Sequence, residues 1–222
     1  MTATAPGWFE VRDLTLSRGH RRLLDGLAFE LEPGEAILVQ GRNGSGKSSL
    51  LRAVLGLSLA TGAIRFDGED FAPESGRLRR HALYQGHATG LKADLDAREN
   101  LALAAALDGF AADAAALRAA LDETGLGREA AITVRRLSQG QKQRLVLARL
   151  ALANRQATPK RLLWLLDEPS ASLDSAGTTM LDALLAVHLQ RGGAAVVATH
   201  LPILEQVPPG SRALPPRRIE LG

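Results

Sequence analysis

Short segments with a strand pattern recur along the whole chain. In the first two, apolar and polar residues alternate, which is typical of half-buried strands. The third is a continuous apolar run after a Pro-Gly turn, and such a run indicates a strand buried on both faces. The predicted strands are Val11–Leu16, Leu27–Leu31, Ala36–Gln40, Ala63–Phe66, Leu162–Leu166, Ala194–Thr199 and an edge strand at Arg218–Leu221.

Segments with a helical period lie between these strands. Leu95–Leu126 is rich in Ala and Leu, and Asp108-Gly109 interrupts it, so it predicts two helices that form a helical subdomain. The other predicted helices are Lys47–Leu57, Gln141–Ala153 and Thr178–Leu189. Strands and helices that alternate in this way favour an α/β fold with a mostly parallel sheet.

Composition narrows the class of protein. The 222 residues are 45% hydrophobic and 23% charged, which is typical of a globular domain and excludes a fibrous or extensively disordered chain. Without cysteine, disulfides, thiolate metal sites and cysteine nucleophiles are excluded. The net charge of +3 is too small to indicate nucleic acid, so we expect no such partner. No apolar run reaches the roughly 18 residues of a membrane helix, and the start of the chain lacks a signal-peptide pattern, so we expect a cytosolic location.

A glycine-rich loop follows the buried strand and precedes a helix. It matches G-x-x-x-x-G-K-[ST], the pattern whose backbone N–H groups surround nucleotide phosphates. Lys47 is expected to reach the β- and γ-phosphates, and Ser48 to bind Mg²⁺. The predicted nucleotide-binding residues here are Gly41, Arg42, Asn43, Gly44, Ser45, Gly46, Lys47, Ser48 and Ser49. The loop by itself predicts a bound nucleoside triphosphate with Mg²⁺, and the family resemblance described below implies that the nucleotide is ATP.

Two acidic residues, Asp167 and Glu168, end the apolar strand at Leu162–Leu166. The carboxyl end of a buried parallel strand lies at the ligand-binding edge of a sheet. Asp167 can hold Mg²⁺, and Glu168 can accept a proton from an attacking water molecule.

The segment Leu137-Ser138-Gln139-Gly140-Gln141 precedes a helix and resembles the signature of ABC-type ATPases. Asp167-Glu168-Pro169, Ser172-Leu173-Asp174 and Thr199-His200 resemble the Walker B segment, the D-loop and the switch histidine of the same family. The resemblance implies a P-loop domain spanning residues 1–222, with a mostly parallel core sheet, an antiparallel β subdomain and a helical subdomain inserted at about 88–137. It also implies a sandwich dimer with a second copy, in which Ser138, Gly140 and Gln141 contact the partner's nucleotide, and a catalytic role for His200.

The segment Tyr84 to Lys92, together with Glu99-Asn100-Leu101, is similar to the CcmA family, the ATP-binding subunits of cytochrome c biogenesis haem exporters. This similarity implies CcmB/CcmC-like membrane subunits as partners and a location on the cytoplasmic face of the inner membrane. Two residues compete for the metal- and water-contacting role of the family's glutamine loop. Gln85 has the fitting side chain, whereas His87 has the fitting distance from Asn100. We favour Gln85.

The sequence departs from the family at two other positions. Gln139 replaces the first glycine of the signature. The aromatic residue that stacks on adenine is missing, and its place falls near Arg18, for which a solvated turn residue is the favoured interpretation.

Three alternative functions stay open. One is the ATPase of another exporter. A second is a soluble ABC ATPase acting on DNA or ribosomes. Lys47 and Ser138 are only 91 residues apart, which disfavours this function because it leaves no room for a long coiled coil. The third is a nucleotide-binding module without catalysis, which is disfavoured because Lys47 and Glu168 are both present.

Overall fold

The computed structural model describes residues 8–19, 21–156, 163–204 and 215–222. The chain divides into two units, of which the first contains Met1–His87, Arg161–Pro169 and Leu189–Gly222, and the second contains Ala88–Lys160 and Ser170–His188. A single domain with an inserted helical subdomain at about 88–137 stays a prediction. In the described part of the chain, no helix is both long and apolar enough to cross a bilayer.

The first unit contains a five-stranded parallel sheet with the order β6-β7-β8-β3-β9. Its strands are β3 (Ala36–Gly41), β6 (Ala82–Gln85), β7 (Leu163–Asp167), β8 (Ala194–Ala198) and β9 (Arg217–Leu221). Every residue of β7 and β8 is buried, as expected for strands covered on both faces. Because all strands run in the same direction, their carboxyl ends bring the phosphate loop, the acidic pair and His200 to one edge.

An antiparallel sheet with the order β2-β1-β4-β5 completes the strands of this unit. It consists of β1 (Phe9–Arg18), β2 (Arg21–Leu31), β4 (Thr61–Phe66) and β5 (Glu69–Phe71). Helix α1 (Lys47–Val54) buries Leu50 and Leu51 in one hydrophobic cluster with side chains from both sheets. This cluster supports the helix whose first residue is the predicted phosphate-binding lysine.

The second unit is helical. Its elements are α2 (Ala97–Asp108), α3 (Ala114–Glu123), α4 (Gln139–Asn154) and most of α5 (Ser175–Gln190). Asp96 caps α2 in a reciprocal capping box with Glu99, which satisfies free N–H groups of the first turn. At the other end of α2, Asp108 accepts two hydrogen bonds of 2.6 and 2.7 Å from Arg149 of α4.

The observed elements differ from the expected ones mainly at their ends. α1 ends at Val54 and not at Leu57, because Gly56 has a φ of +66° and a side chain there would lie 2.5 Å from the Pro73 carbonyl oxygen. β5 and β6 were not predicted, and both have four residues or fewer. The predicted edge strand at Arg218–Leu221 is present as β9, which begins one residue earlier, at Arg217.

Candidate active site

The phosphate loop connects β3 to α1 and is bent by glycine. Gly41, Gly44 and Gly46 have φ angles of 142°, 83° and 107°, which other residues adopt only with strain. The N–H of Ser45 donates to the Arg42 carbonyl at 3.1 Å and closes a turn inside the loop. A side chain on Gly44 would meet nothing within 4 Å. The loop therefore combines an open outer side with a backbone conformation that depends on glycine.

The start of α1 has the features of an anion site. No side chain caps the helix and its first turn carries no acidic residue. The first N–H groups of a helix have no partner inside it, and the helix dipole adds positive potential there. Ser48 and Ser49, both in this first turn, are thus placed where a phosphate group is favoured.

Lys47 is the buried cation of this loop. Its side chain is only 7% exposed, and Nζ donates to the carbonyls of Gly41 at 2.8 Å and Arg42 at 3.3 Å. Nζ also lies 3.9 Å from Oε1 of Glu168. A buried ammonium group needs such partners, because removing a charge from water costs free energy unless it is compensated.

The two predicted acidic residues have different partners. Asp167 is 3% exposed, and its Oδ1 accepts a hydrogen bond of 2.9 Å from the Ser48 hydroxyl, although the two residues are far apart in sequence. The Glu168 carboxylate lies between two groups, with Oε1 towards Lys47 and Oε2 2.9 Å from Nδ1 of His200. The structure therefore brings together five of the predicted residues: Lys47, Ser48, Asp167, Glu168 and His200.

The backbone of Glu168 is unusual. Its φ of +50° lies in the left-handed region, which costs an L-residue other than glycine about 1–2 kcal/mol. Its N–H donates to the Ala198 carbonyl at 2.8 Å, so the neighbouring strand β8 holds this conformation. Strained residues of this kind are concentrated at functional sites.

Gln85 and His87 lie in different surroundings. Gln85 is the last residue of β6, is 6% exposed, and pairs in register with Leu166, next to Asp167. Its side-chain amide donates to the Gly86 carbonyl at 3.0 Å. His87 is exposed. The structure places Gln85 at the carboxyl edge of the sheet. Its side chain forms a hydrogen bond with the loop that follows β6 and not with the cluster of Lys47, Ser48, Asp167, Glu168 and His200.

Tyr84 begins the CcmA-like segment, but the sequence gave it no role beside Asp167. Burial, and secondly the negative charge of Asp167, raise the pKa of the Tyr84 phenol above its usual value. A side chain on Gly86 would lie 3.1 Å from the phenol oxygen. Tyr84 is thus a neutral residue near Asp167. The sequence gave no signal that it lies there, because the four-residue strand that carries it was not predicted.

The signature residues lie at the start of α4 in the second unit. Ser138 and Gln141 form a capping box, in which Ser138 Oγ accepts from the Gln141 N–H at 3.2 Å and Gln141 Oε1 accepts from the Ser138 N–H at 2.9 Å. Gln139 is exposed, and a side chain on Gly140 would meet nothing within 4 Å. The helix start is therefore open at Gly140, while the Gln141 side chain is committed to the cap.

Asp174 of the predicted D-loop begins α5 within the same unit. Its carboxylate accepts from the Gly177 N–H at 2.7 Å, and Oδ2 lies 3.1 Å from Arg144. The hydrogen bond from Gly177, and secondly the charge of Arg144, hold the pKa of Asp174 below its usual range. In this structure Asp174 is a helix-capping residue.

Residues 24–171 match the family described as "ABC transporter". The chain is 43% identical to "Cytochrome c biogenesis ATP-binding export protein CcmA" of Pseudomonas aeruginosa over 192 residues, which are 86% of this chain and 92% of that protein. The chain belongs to the ABC transporter family, in its CcmA branch. A protein of the same description from Xanthomonas axonopodis pv. citri (strain 306) is 41% identical, and the match covers 98% of this chain and 94% of that one.

Solved structures of the ABC family share the fold. An ATP-binding subunit of an ABC transporter superposes with a TM-score of 0.72 and 26% identity, covering 87% of this chain and 80% of that one. A dimeric ATP-binding cassette in a post-hydrolysis state, bound to ADP and Pi, superposes with a TM-score of 0.71 and 25% identity. The match covers 87% of this chain and 88% of that one. The predicted α/β P-loop fold and the predicted class, an ABC transporter ATPase, are confirmed.

Proposed function

We propose that this protein is the ATP-hydrolysing subunit of a membrane exporter that serves c-type cytochrome biogenesis, where it powers the export of haem or the handling of a haem carrier. The observation that carries the proposal is the cluster of Lys47, Ser48, Asp167, Glu168 and His200 at one edge of the parallel sheet. The CcmA branch supports the choice of pathway. An ATPase of another exporter is the alternative.

The residues of the cluster have separate roles in ATP binding and hydrolysis. The loop from Gly41 to Ser49 binds the phosphates through its backbone, and Lys47 supplies the charge that faces them. Glu168 accepts the proton of the attacking water, while His200, in hydrogen-bond contact with its Oε2, holds the carboxylate in place and contacts the γ-phosphate. Positioning and electrostatics supply most of the catalysis in phosphoryl transfer.

The donor set fits Mg²⁺. Ser48 Oγ and Asp167 Oδ1 are adjacent oxygens, which suit a hard cation that retains water molecules and binds substrate phosphates. Among the described residues, no group of three or more His, Cys, Asp or Glu side chains forms a metal cage. Ser48 would hold the ion directly and Asp167 through water, with Gln85 as the third protein group. When bound, Mg²⁺ neutralises charge that develops on the phosphates.

A second copy of the chain completes the site in our proposal. The open start of α4 at Gly140, with the Ser138 hydroxyl beside it, offers a second anion-binding helix N-terminus. Ser138 and Gly140 would contact the γ-phosphate bound by the partner copy, and Gln141 would position Ser138 through the capping box. ATP binding would thus join two copies, and hydrolysis would separate them.

Ser138→Arg tests this arrangement. The isolated chain should still bind ATP, because the nucleotide of each copy is held by its own phosphate loop. ATP-dependent dimers should be lost in the Glu168→Gln background, measured by size-exclusion chromatography. Arg128→Glu, at an exposed position of the same unit, is the control and should leave the dimers intact. Dimers that persist in Ser138→Arg would contradict the sandwich.

The remaining partners are integral membrane subunits of the CcmB/CcmC type, which place this protein on the cytoplasmic face of the inner membrane. The test is complementation of a bacterium that lacks its own CcmA gene. Expression of this chain should restore c-type cytochromes on haem-stained gels, and Glu168→Gln should not. A purified protein that hydrolyses ATP but restores no c-type cytochromes would favour the alternative, another exporter.

Gln85→Ala should lower the ATPase activity of the assembled complex more than His87→Ala does. Gln85 is buried at the end of β6 beside the strand of Asp167, whereas His87 is exposed and suited to contact a membrane subunit. His87→Ala should instead uncouple ATP hydrolysis from cytochrome maturation. Paired turnover and maturation assays distinguish the two, and the reverse order would assign the glutamine-loop role to His87.

A further inference from the structure

The strand β9 lies directly against the first residue of the phosphate loop. Gly41 and Leu221 are register partners in the parallel pair of β3 and β9. A Cβ atom on Gly41 would lie 2.3 Å from the Leu221 carbonyl oxygen and 2.7 Å from Ser45 Oγ. Three segments of the chain, namely the end of β3, the loop and β9, therefore meet at one point with no space left between them.

The inner side of the loop is closed, in contrast to its outer side. Ser45 is 5% exposed, and its Oγ has no hydrogen-bond partner in the described part of the chain. A buried hydroxyl without a partner is unfavourable, so the Ser45 side chain is held by packing against Gly41 and β9 and not by a hydrogen bond of its own. Van der Waals contact from behind therefore adds to the hydrogen bonds that Lys47 makes to the Gly41 and Arg42 carbonyls.

β9 pairs with β3 along its whole length, and of its five side chains only that of Leu221 is buried, while Ile219 is partly buried. Leu221 is buried in the same hydrophobic cluster as Leu50 of α1, whereas Arg217 and Glu220 are exposed. At the start of the strand, Arg217 donates to the Glu30 carbonyl and lies 3.2 Å from Glu35 Oε2. In addition to the pairing with β3, the end of β9 that meets the loop is therefore anchored by the buried Leu221 side chain, and its start by the contacts of Arg217.

We infer that Leu221 is a positioning residue for triphosphate binding, because its burial fixes the strand that supports the phosphate loop at Gly41 and Ser45. This inference rests on the proposed ATP-binding function. The loop binds ATP through backbone N–H groups, whose directions change if their support moves. Small displacements of binding groups cost up to about 10²-fold in activity. Glu168 keeps its position when Leu221 is replaced, so the substitution should change KM and not kcat.

The test compares Leu221→Ala with Leu221→Met and Leu78→Ala in the full chain. Leu221→Ala should raise the KM for ATP about tenfold with kcat within about twofold of wild type, since Glu168 and His200 are unaffected. Leu221→Met conserves volume and should restore the wild-type KM. Leu78 is fully buried in the same cluster, and its neighbour Arg79 donates to the Leu55 carbonyl at the end of α1 opposite the loop, so Leu78→Ala should lower the melting temperature and leave KM unchanged.

Two results would overturn the inference: an unchanged KM in Leu221→Ala, or an equal rise of KM in Leu78→Ala, which would indicate general destabilisation. If Leu221→Ala does not fold, Arg217→Ala is the variant that tests the inference. It removes the side-chain contacts with Glu30 and Glu35 at the other end of β9 and should also raise KM. An unchanged KM in that variant overturns the inference as well. A wild-type protein that fails to bind ATP contradicts the proposed function itself.

Discussion

Glu168→Gln should lower ATP turnover by about 10²–10⁴-fold while ATP binding is retained. The substitution keeps the shape of the side chain, but it removes the negative charge and with it the ability to accept a proton. The structure favours this reading because the Glu168 carboxylate is 14% exposed and contacts both Lys47 and His200. A glutamine can keep its oxygen towards Lys47, so the phosphate loop should remain in place. Steady-state ATPase assays and a fluorescent-nucleotide titration measure the two effects separately.

Glu74→Gln is the matched control. Glu74 is an exposed acid in the same unit, so the same chemical change there should leave turnover unchanged. Near-normal turnover in Glu168→Gln would remove Glu168 from the role of general base. A loss of ATP binding in parallel with turnover would show instead that the ion pair with Lys47 positions the loop.

The phosphate loop and the acidic pair could be predicted because their signals are local. A glycine pattern between a strand and a helix specifies the backbone of the loop, and a strand end specifies the edge at which Asp167 and Glu168 lie. The contact between Ser48 and Asp167 follows from the parallel sheet, since parallel strands place their carboxyl ends together. The alternation of strands and helices already predicted such a sheet.

Other features depend on contacts that no local pattern contains. β6 has four residues and follows a 3-10 helix at Arg77–Arg80, so its periodicity was too short to recognise. The contact between Leu221 and Gly41 joins residues that are 180 positions apart in the sequence, and the mostly polar residues beside Leu221 gave only an edge-strand pattern. The capping box of Gln141 likewise needs the geometry of the helix start, whereas the signature alone suggests only a phosphate contact.

Lys47→Ala should abolish turnover and weaken ATP binding by roughly 10- to 100-fold, the equivalent of one charge-assisted hydrogen bond of about 1.5–3 kcal/mol. The backbone of the loop stays, but the cation facing the phosphates is lost, and Glu168 loses a positive neighbour 3.9 Å away.

The variant Lys47→Arg keeps the positive charge but changes the shape of the group that carries it. A planar guanidinium cannot replace a compact ammonium that donates to the Gly41 and Arg42 carbonyls, so Lys47→Arg should not support turnover. Arg52→Ala, which removes a positive charge from the other end of α1, should bind ATP like wild type. Wild-type affinity for a fluorescent ATP analogue in Lys47→Ala would contradict the phosphate-loop assignment, and full turnover in Lys47→Arg would reduce the role of Lys47 to its charge alone.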